Sequence, residues 1–215
     1  MSTNASIAQT LADHLVLLGG ISADRVHTNP TPGTATFDDW VAANGRGVRC
    51  ELVDATLVDK PMGFYESLLA SVLIARLIAA AEHGKLGVTS GEQGFIRLGE
   101  TQVRSPDVGF FLRSSLPGGK LPSDPVPAIC PEIAVEILSP SNTVAEMTLK
   151  RKEYFQGGCR LVWMVDPNAR NVAIYEPASA LRIAAWDDEL TAPDILPAFR
   201  LKVCDLFNEV DGQID

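Results

Sequence analysis

A chain of 215 residues with 46% hydrophobic and 21% charged residues has the length and mixture of one globular domain, able to bury a core without covalent staples. Its formal net charge of −9 argues against a protein that coats nucleic acid, because phosphate binding relies on Lys and Arg. Cys50, Cys130, Cys159 and Cys204 lie far apart with no C-x-x-C pair, which argues against a zinc site and a disulfide framework and suits a reducing, cytoplasmic setting.

The N-terminus lacks a basic region followed by an apolar run, so no signal peptide is expected. Residues Ala5 to Leu18 place Ile7, Leu11, Leu15 and Leu18 on one face of a short helix. Gly19 to Thr36, broken by Asn29-Pro30-Thr31-Pro32-Gly33, reads as a connecting arm, and residues 1–36 are expected to precede a main domain over 37–208, with a tail at 209–215. Phe37 to Ala43 predicts another short helix, closed by Asn44-Gly45. Arg49 to Asp59 is strand-like with a bend near Asp54-Ala55, and Pro61-Met62-Gly63 stops it. Phe64 to His83 is the strongest helix, with a broad apolar face and His83-Gly84 as its cap. Its most apolar stretch, Ser71 to Ala81, contains Arg76 and falls short of the ~20 residues that span a bilayer.

Strands are expected over Leu86 to Ser90, Gly94 to Leu98 and Val103 to Leu112, followed by a Pro/Gly-rich loop from Ser114 to Pro131. Glu132 to Leu138 is an almost continuous apolar run, the pattern of a buried central strand. Ser139-Pro140-Ser141-Asn142 should end it and cap a helix from Val144 to Gln156, which Gly157-Gly158 terminates. Leu161 to Val165 is a second buried strand, and Asn171 to Tyr175 and Leu181 to Ala185 complete a meander. Together these elements predict an α/β (α+β) fold, a mixed β-sheet with a helix packed on each face.

Charged residues inside these apolar strands carry the chemistry. Asp107 follows a proline at a strand start, and Glu136 lies within the most buried strand. Carboxylates are costly in such places unless a cation compensates them. Two acids at the ends of neighbouring strands suit a hard divalent ion, which takes a few carboxylate oxygens and keeps several waters. The backbone carbonyl of Ile137 is a natural third ligand. Glu146, Lys150 and Tyr154 share one helical face, so Lys150 can present a compact charge to a water or a phosphate. Taken singly, Lys150 would more simply be a solvated lysine paired with Glu146, and Glu136 a buried acid paired with an arginine such as Arg160.

The runs Cys50-Glu51-Leu52-Val53-Asp54, Pro106-Asp107-Val108, Val135-Glu136-Ile137-Leu138-Ser139-Pro140-Ser141, Lys150-x-x-x-Tyr154 and Leu161-Val162-Trp163-Met164-Val165-Asp166-Pro167 occur in that order. In this they resemble the Uma-type putative restriction endonuclease family of the PD-(D/E)XK nuclease superfamily, over roughly Phe37 to Phe207. The resemblance implies a restriction-endonuclease-like core and a magnesium- or manganese-dependent endonuclease acting on nucleic acid, DNA in particular. By the same resemblance Asp107 and Glu136 are metal-binding acids and Lys150 is the catalytic lysine. The superfamily's usual lysine position, two residues after the second acid, is Leu138 here. Glu51 matches the family's early glutamate as an auxiliary ligand, and Glu66 is similar to its helix glutamate. Ala55 stands where the family usually has glycine.

Other signals read as structural. Pro117-Gly118-Gly119-Lys120 lacks phosphate-loop spacing, His14, His27 and His83 are scattered, and Ser139 and Ser141 lack a nucleophile-elbow context. The rival reading is a non-catalytic binding or scaffold protein that keeps the fold, favoured by the acidic balance. A small-phosphoester hydrolase is a third. Cutting a duplex takes two cuts, which suits a homodimer, although no interface is legible.

Overall fold

A computed structural model describes residues 10–61 and 63–212. The chain forms two compact units, one of Met1–Pro61, Gly99–Val103 and Ser141–Lys150, the other of Met62–Leu98, Arg104–Pro140 and Arg151–Asp215. This division does not follow the expected boundary at residue 36.

In the first unit, helix α1 (Leu11–Leu17) and helix α2 (Phe37–Gly45) both start with capping boxes, Thr10 with Asp13 and Thr36 with Asp39. Each box satisfies two of the backbone groups a helix start leaves open. The part of the first predicted helix before residue 10 lies outside the described residues. The expected strand from Arg49 to Asp59 is a hairpin, β1 (Cys50–Val53) and β2 (Thr56–Asp59). Its two-residue turn holds Asp54 at φ 45° and Ala55 at φ 54°, the left-handed pair that matches the twist of antiparallel strands. On its other edge β1 meets β5 (Gln102–Arg104) through Leu52 and Val103. The predicted arm is not loose: Leu18, Ile21 and Val26 bury themselves against Val53 and Val58.

The second unit is built on a six-stranded sheet of order β10-β9-β8-β7-β6-β3. Its strands are β3 (Gly87–Gly91), β6 (Val108–Leu112), β7 (Ile133–Ile137), β8 (Leu161–Asp166), β9 (Asn171–Tyr175) and β10 (Arg182–Ala184). Only β7 and β8 run parallel, joined through helix α4 (Val144–Gln156), so the sheet is mixed as expected. Strand β4 (Ile96–Gly99) and β5 occupy what was expected as one strand and the start of another, because Ser105-Pro106-Asp107 interrupts the run from Val103 to Leu112.

Alternation along the central strands fixes the two faces. Val108, Phe110, Ile133, Val135, Ile137, Leu161, Trp163 and Val165 point into the main core. There they meet Leu69, Leu73 and Leu77 of helix α3 (Phe64–Ala80) and Leu206 and Phe207 of helix α5 (Val203–Asp211). Glu136 and its same-face neighbours Ala134, Val162 and Met164 point the other way. The C-terminal turns of α4 occupy that face, with Tyr154 buried and Arg151 over the Tyr175 ring at 4.0 Å.

Two elements were not expected. A bulged hairpin of β11 (Glu189–Ala192) and β12 (Leu196–Lys202) sends Leu196, Phe199 and Leu201 into the core. Helix α5 follows it directly and runs to Asp211, with Val210 against the core, so the expected tail beginning at residue 209 is corrected: its first residues are helix. No helix among the described residues is long and apolar enough to cross a membrane.

Candidate active site

Asp107 immediately precedes β6 and Glu136 is the penultimate residue of β7. The antiparallel register pairs Val108 with Val135, so the next step of the ladder sets Asp107 opposite Glu136. A hydrogen bond fixes this approach: the Ile137 amide donates to Asp107 Oδ2 at 2.7 Å. Both acids are buried, Asp107 at 4% exposure and Glu136 at 2%. The hydroxyl of Tyr154, reaching in from α4, donates to Glu136 Oε1 at 2.5 Å. Arg160, considered above as a partner for Glu136, instead donates to the carbonyl of Asp194 at the surface.

In this arrangement a neutral donor orients one oxygen of each acid. A main-chain N–H and a phenol orient a carboxylate without cancelling its charge. In the same unit the buried Arg104 pairs with the buried Glu153 at 2.6 Å.

In the first unit, Lys150 lies at 2% exposure with its Nζ 3.6 Å from Glu51 Oε2, and Glu51 is itself 1% exposed. The two residues expected to act with the acids, one as cation and one as auxiliary, are therefore an ion pair with each other. The simpler reading, a solvated Lys150 on the surface, is excluded by its burial. Glu146, expected as the partner of Lys150 in that reading, is claimed chiefly by Arg25. The guanidinium meets both carboxylate oxygens, at 2.8 and 3.1 Å. Burial pushes the Glu146 carboxyl up, but hydrogen bonds from Arg25 and the charges of Lys150 and Arg25 outweigh it and hold it below its ordinary range. Arg25 lies in the segment expected to be an arm, and only its position before an apolar valine hinted at burial. Glu146 also shows the true start of α4: its amide donates to Thr143 Oγ1 at 3.0 Å, so Thr143 caps the helix.

Glu66 is the third residue of α3, after the Gly63 cap, and its carboxylate folds back over Gly63. That is the position from which a glutamate closes a helix start. Among the described residues no group of three or more His, Cys, Asp or Glu side chains is gathered for a metal ion.

A model of the Uma2 family, described as "Putative restriction endonuclease", matches residues 34–204. The chain belongs to this family. Among solved structures, a similar one is that of "a putative nuclease belonging to DUF820" from Anabaena variabilis ATCC 29413, at 20% identity and a TM-score of 0.72. The match covers 81% of this chain and 98% of that one, and shows that the two share a fold. A search of curated proteins found no match.

Proposed function

We propose that this Uma2 family member is a metal-dependent endonuclease that hydrolyses phosphodiester bonds in nucleic acid, DNA in particular. The observation that carries the reading is the ladder position of Asp107 opposite Glu136, which brings two buried carboxylates together at the ends of neighbouring strands. With the Ile137 carbonyl they make an all-oxygen donor set. It is too small to cage calcium and is suited to magnesium or manganese, which need one or two carboxylates and retain waters. When bound, such an ion supplies Lewis-acid polarisation of the phosphoryl oxygen and a more acidic water.

The chain's own residues do the rest. Ile137 and Tyr154 each hold one carboxylate oxygen, which fixes the orientation of the two acids. Lys150 is assigned to offset the negative charge that phosphodiester hydrolysis gathers in its transition state. Glu51 lies 3.6 Å from that ammonium and fixes its position in a buried setting. In this role Glu51 is auxiliary through the lysine.

The test is cleavage of duplex DNA, single-stranded DNA and RNA by purified protein across magnesium and manganese, with Lys150→Ala and Glu136→Gln in parallel. Cleavage should need the metal and be lost in both variants, while Lys150→Ala still binds metal. Activity that survives in both variants would refute the assignment. No cleavage together with no metal binding would favour the scaffold reading.

A further inference from the structure

The sheet face that carries Glu136 also carries a cavity of about 310 Å³, at the edge of the sheet. It is lined by Val88 and Ser90 of β3, Phe111 of β6, Phe95, and the proline-rich loop through Pro122 and Pro127. None of its lining residues carries a charge. The wall is therefore two aromatic rings, aliphatic chains and prolines, a lining that suits a neutral planar group rather than a phosphate or a cation.

One hydroxyl in that wall has no partner. Ser90 Oγ is buried and makes no hydrogen bond among the described residues. Buried polar groups are almost always satisfied, so an orphan in a cavity wall points to a donor or acceptor supplied by a ligand. The surroundings of Ser90 are also kept small. A Cβ on Gly94 would stand 2.6 Å from Ser90 Oγ, and one on Gly109 would stand 2.8 Å from it. Neither glycine has a positive φ, so close approach to Ser90, not backbone conformation, accounts for both.

Position connects the cavity with the acids. Ser90 pairs across the ladder with Gly109, two residues along from Asp107. By strand spacing the Cα atoms of Ser90 and Asp107 are roughly 8 Å apart. That matches the reach from a nucleotide's phosphate to its base. We infer that the cavity receives one unstacked nucleobase of the substrate strand, seated between Phe95, Phe111 and the prolines with its polar edge toward Ser90, while the adjoining phosphate lies at Asp107 and Glu136. This inference rests on the nuclease reading and narrows it. A base must leave its stack to enter, which is least costly in single-stranded or distorted nucleic acid. The substrate class is therefore nucleic acid with an unpaired nucleotide beside the scissile bond.

The experiment uses the full chain and short single-stranded oligonucleotides. Four carry a different base at the central position, and a fifth carries an abasic site there. Binding is measured without divalent metal, and cleavage separately with magnesium. At least one base should bind tenfold or more tighter than the abasic strand, and better than the same sequence in a duplex. Ser90→Ala should reduce that advantage. Leu121→Trp, on a wall residue 58% exposed and hence safe for folding, should abolish it by filling the cavity. Equal binding of base and abasic strands, or an advantage that survives Leu121→Trp, would overturn the inference even if cleavage proceeds. A base-dependent advantage removed by Leu121→Trp, with no cleavage of any strand, would uphold the pocket and overturn the nuclease reading instead.

Discussion

Replacing Arg25 by Met should cost this protein more than any single surface change. The side chain is 7% exposed and donates to both oxygens of Glu146, itself 4% exposed, and to the carbonyl of Asp59 at 3.0 and 3.1 Å. Methionine fills much of the volume but leaves a buried carboxylate facing an apolar chain. Breaking a buried pair from one side costs about 3–5 kcal/mol, and at about 2–4 °C per kcal/mol for a chain of this size the melting temperature should fall by roughly 6–20 °C. The sign with pH follows from Glu146. Its folded pKa is depressed in the wild type, so its contribution is present above the unfolded value and is lost as pH falls through the folded one. Without Arg25, burial is opposed only by the charge of Lys150 and by Asn142, and the carboxyl moves upward. The variant's penalty should then be largest at neutral pH and shrink as the pH falls and Glu146 protonates. Urea unfolding of both proteins at neutral and acidic pH measures this. Arg25→Met with Glu146→Leu should recover most of the loss, since an apolar pair carries no desolvation penalty. A penalty below about 1 kcal/mol, or one equal at both pH values, would refute the argument, because a pair that broke even would show no such dependence.

Three other outcomes follow from the same contacts. Asp107→Asn keeps an oxygen for the Ile137 amide, so the fold should hold while the magnesium-induced rise in melting temperature disappears; an unchanged rise would remove Asp107 from the metal site. Tyr154→Phe removes the hydroxyl bound to Glu136 and should weaken manganese binding about 10–100-fold for a stability loss of only about 1 kcal/mol, as titration and melts together can show. Ala55→Gly should stabilise the protein by about 0.5–1 kcal/mol, because alanine at φ 54° pays the left-handed penalty that glycine avoids; a lower melting temperature would mean that chain entropy outweighs the strain.

The central sheet was legible because its strands carry one strong signal each. Ile133 to Ile137 and Leu161 to Val165 are buried on both faces and read as nearly continuous apolar runs, and α3 shows a broad apolar stripe. The hairpin of β11 and β12 was not legible for the converse reason. Pro193 and Pro197 interrupt it, its buried residues are spaced irregularly, and a bulge shifts its register at Thr191 and Ala192. Proline inside a run argues against a strand unless it sits at an edge or a turn, and both do here. Helix α5 was hidden by its length: nine residues directly after a strand leave too few turns for periodicity to show.

For the candidate site, type and order of residues were legible, but partners were not. A buried Glu in an apolar strand announces that something must compensate it, yet sequence spacing names only local candidates. Arg160 and Glu146 were such candidates, and both proved committed elsewhere, to Asp194 and to Arg25. The actual partners come from distant positions: Tyr154 for Glu136, Glu51 for Lys150, Arg25 for Glu146 and Arg104 for Glu153. Three of these four are ion pairs that consume both charges, and the fourth is a phenol. Glu136 accepts from the Tyr154 hydroxyl, and Asp107 is set across the ladder from it. Two buried carboxylates set across a ladder repel each other, and a divalent ion from solution would offset that repulsion by drawing on oxygens of both, which is why their register, more than any single contact, carries the metal proposal.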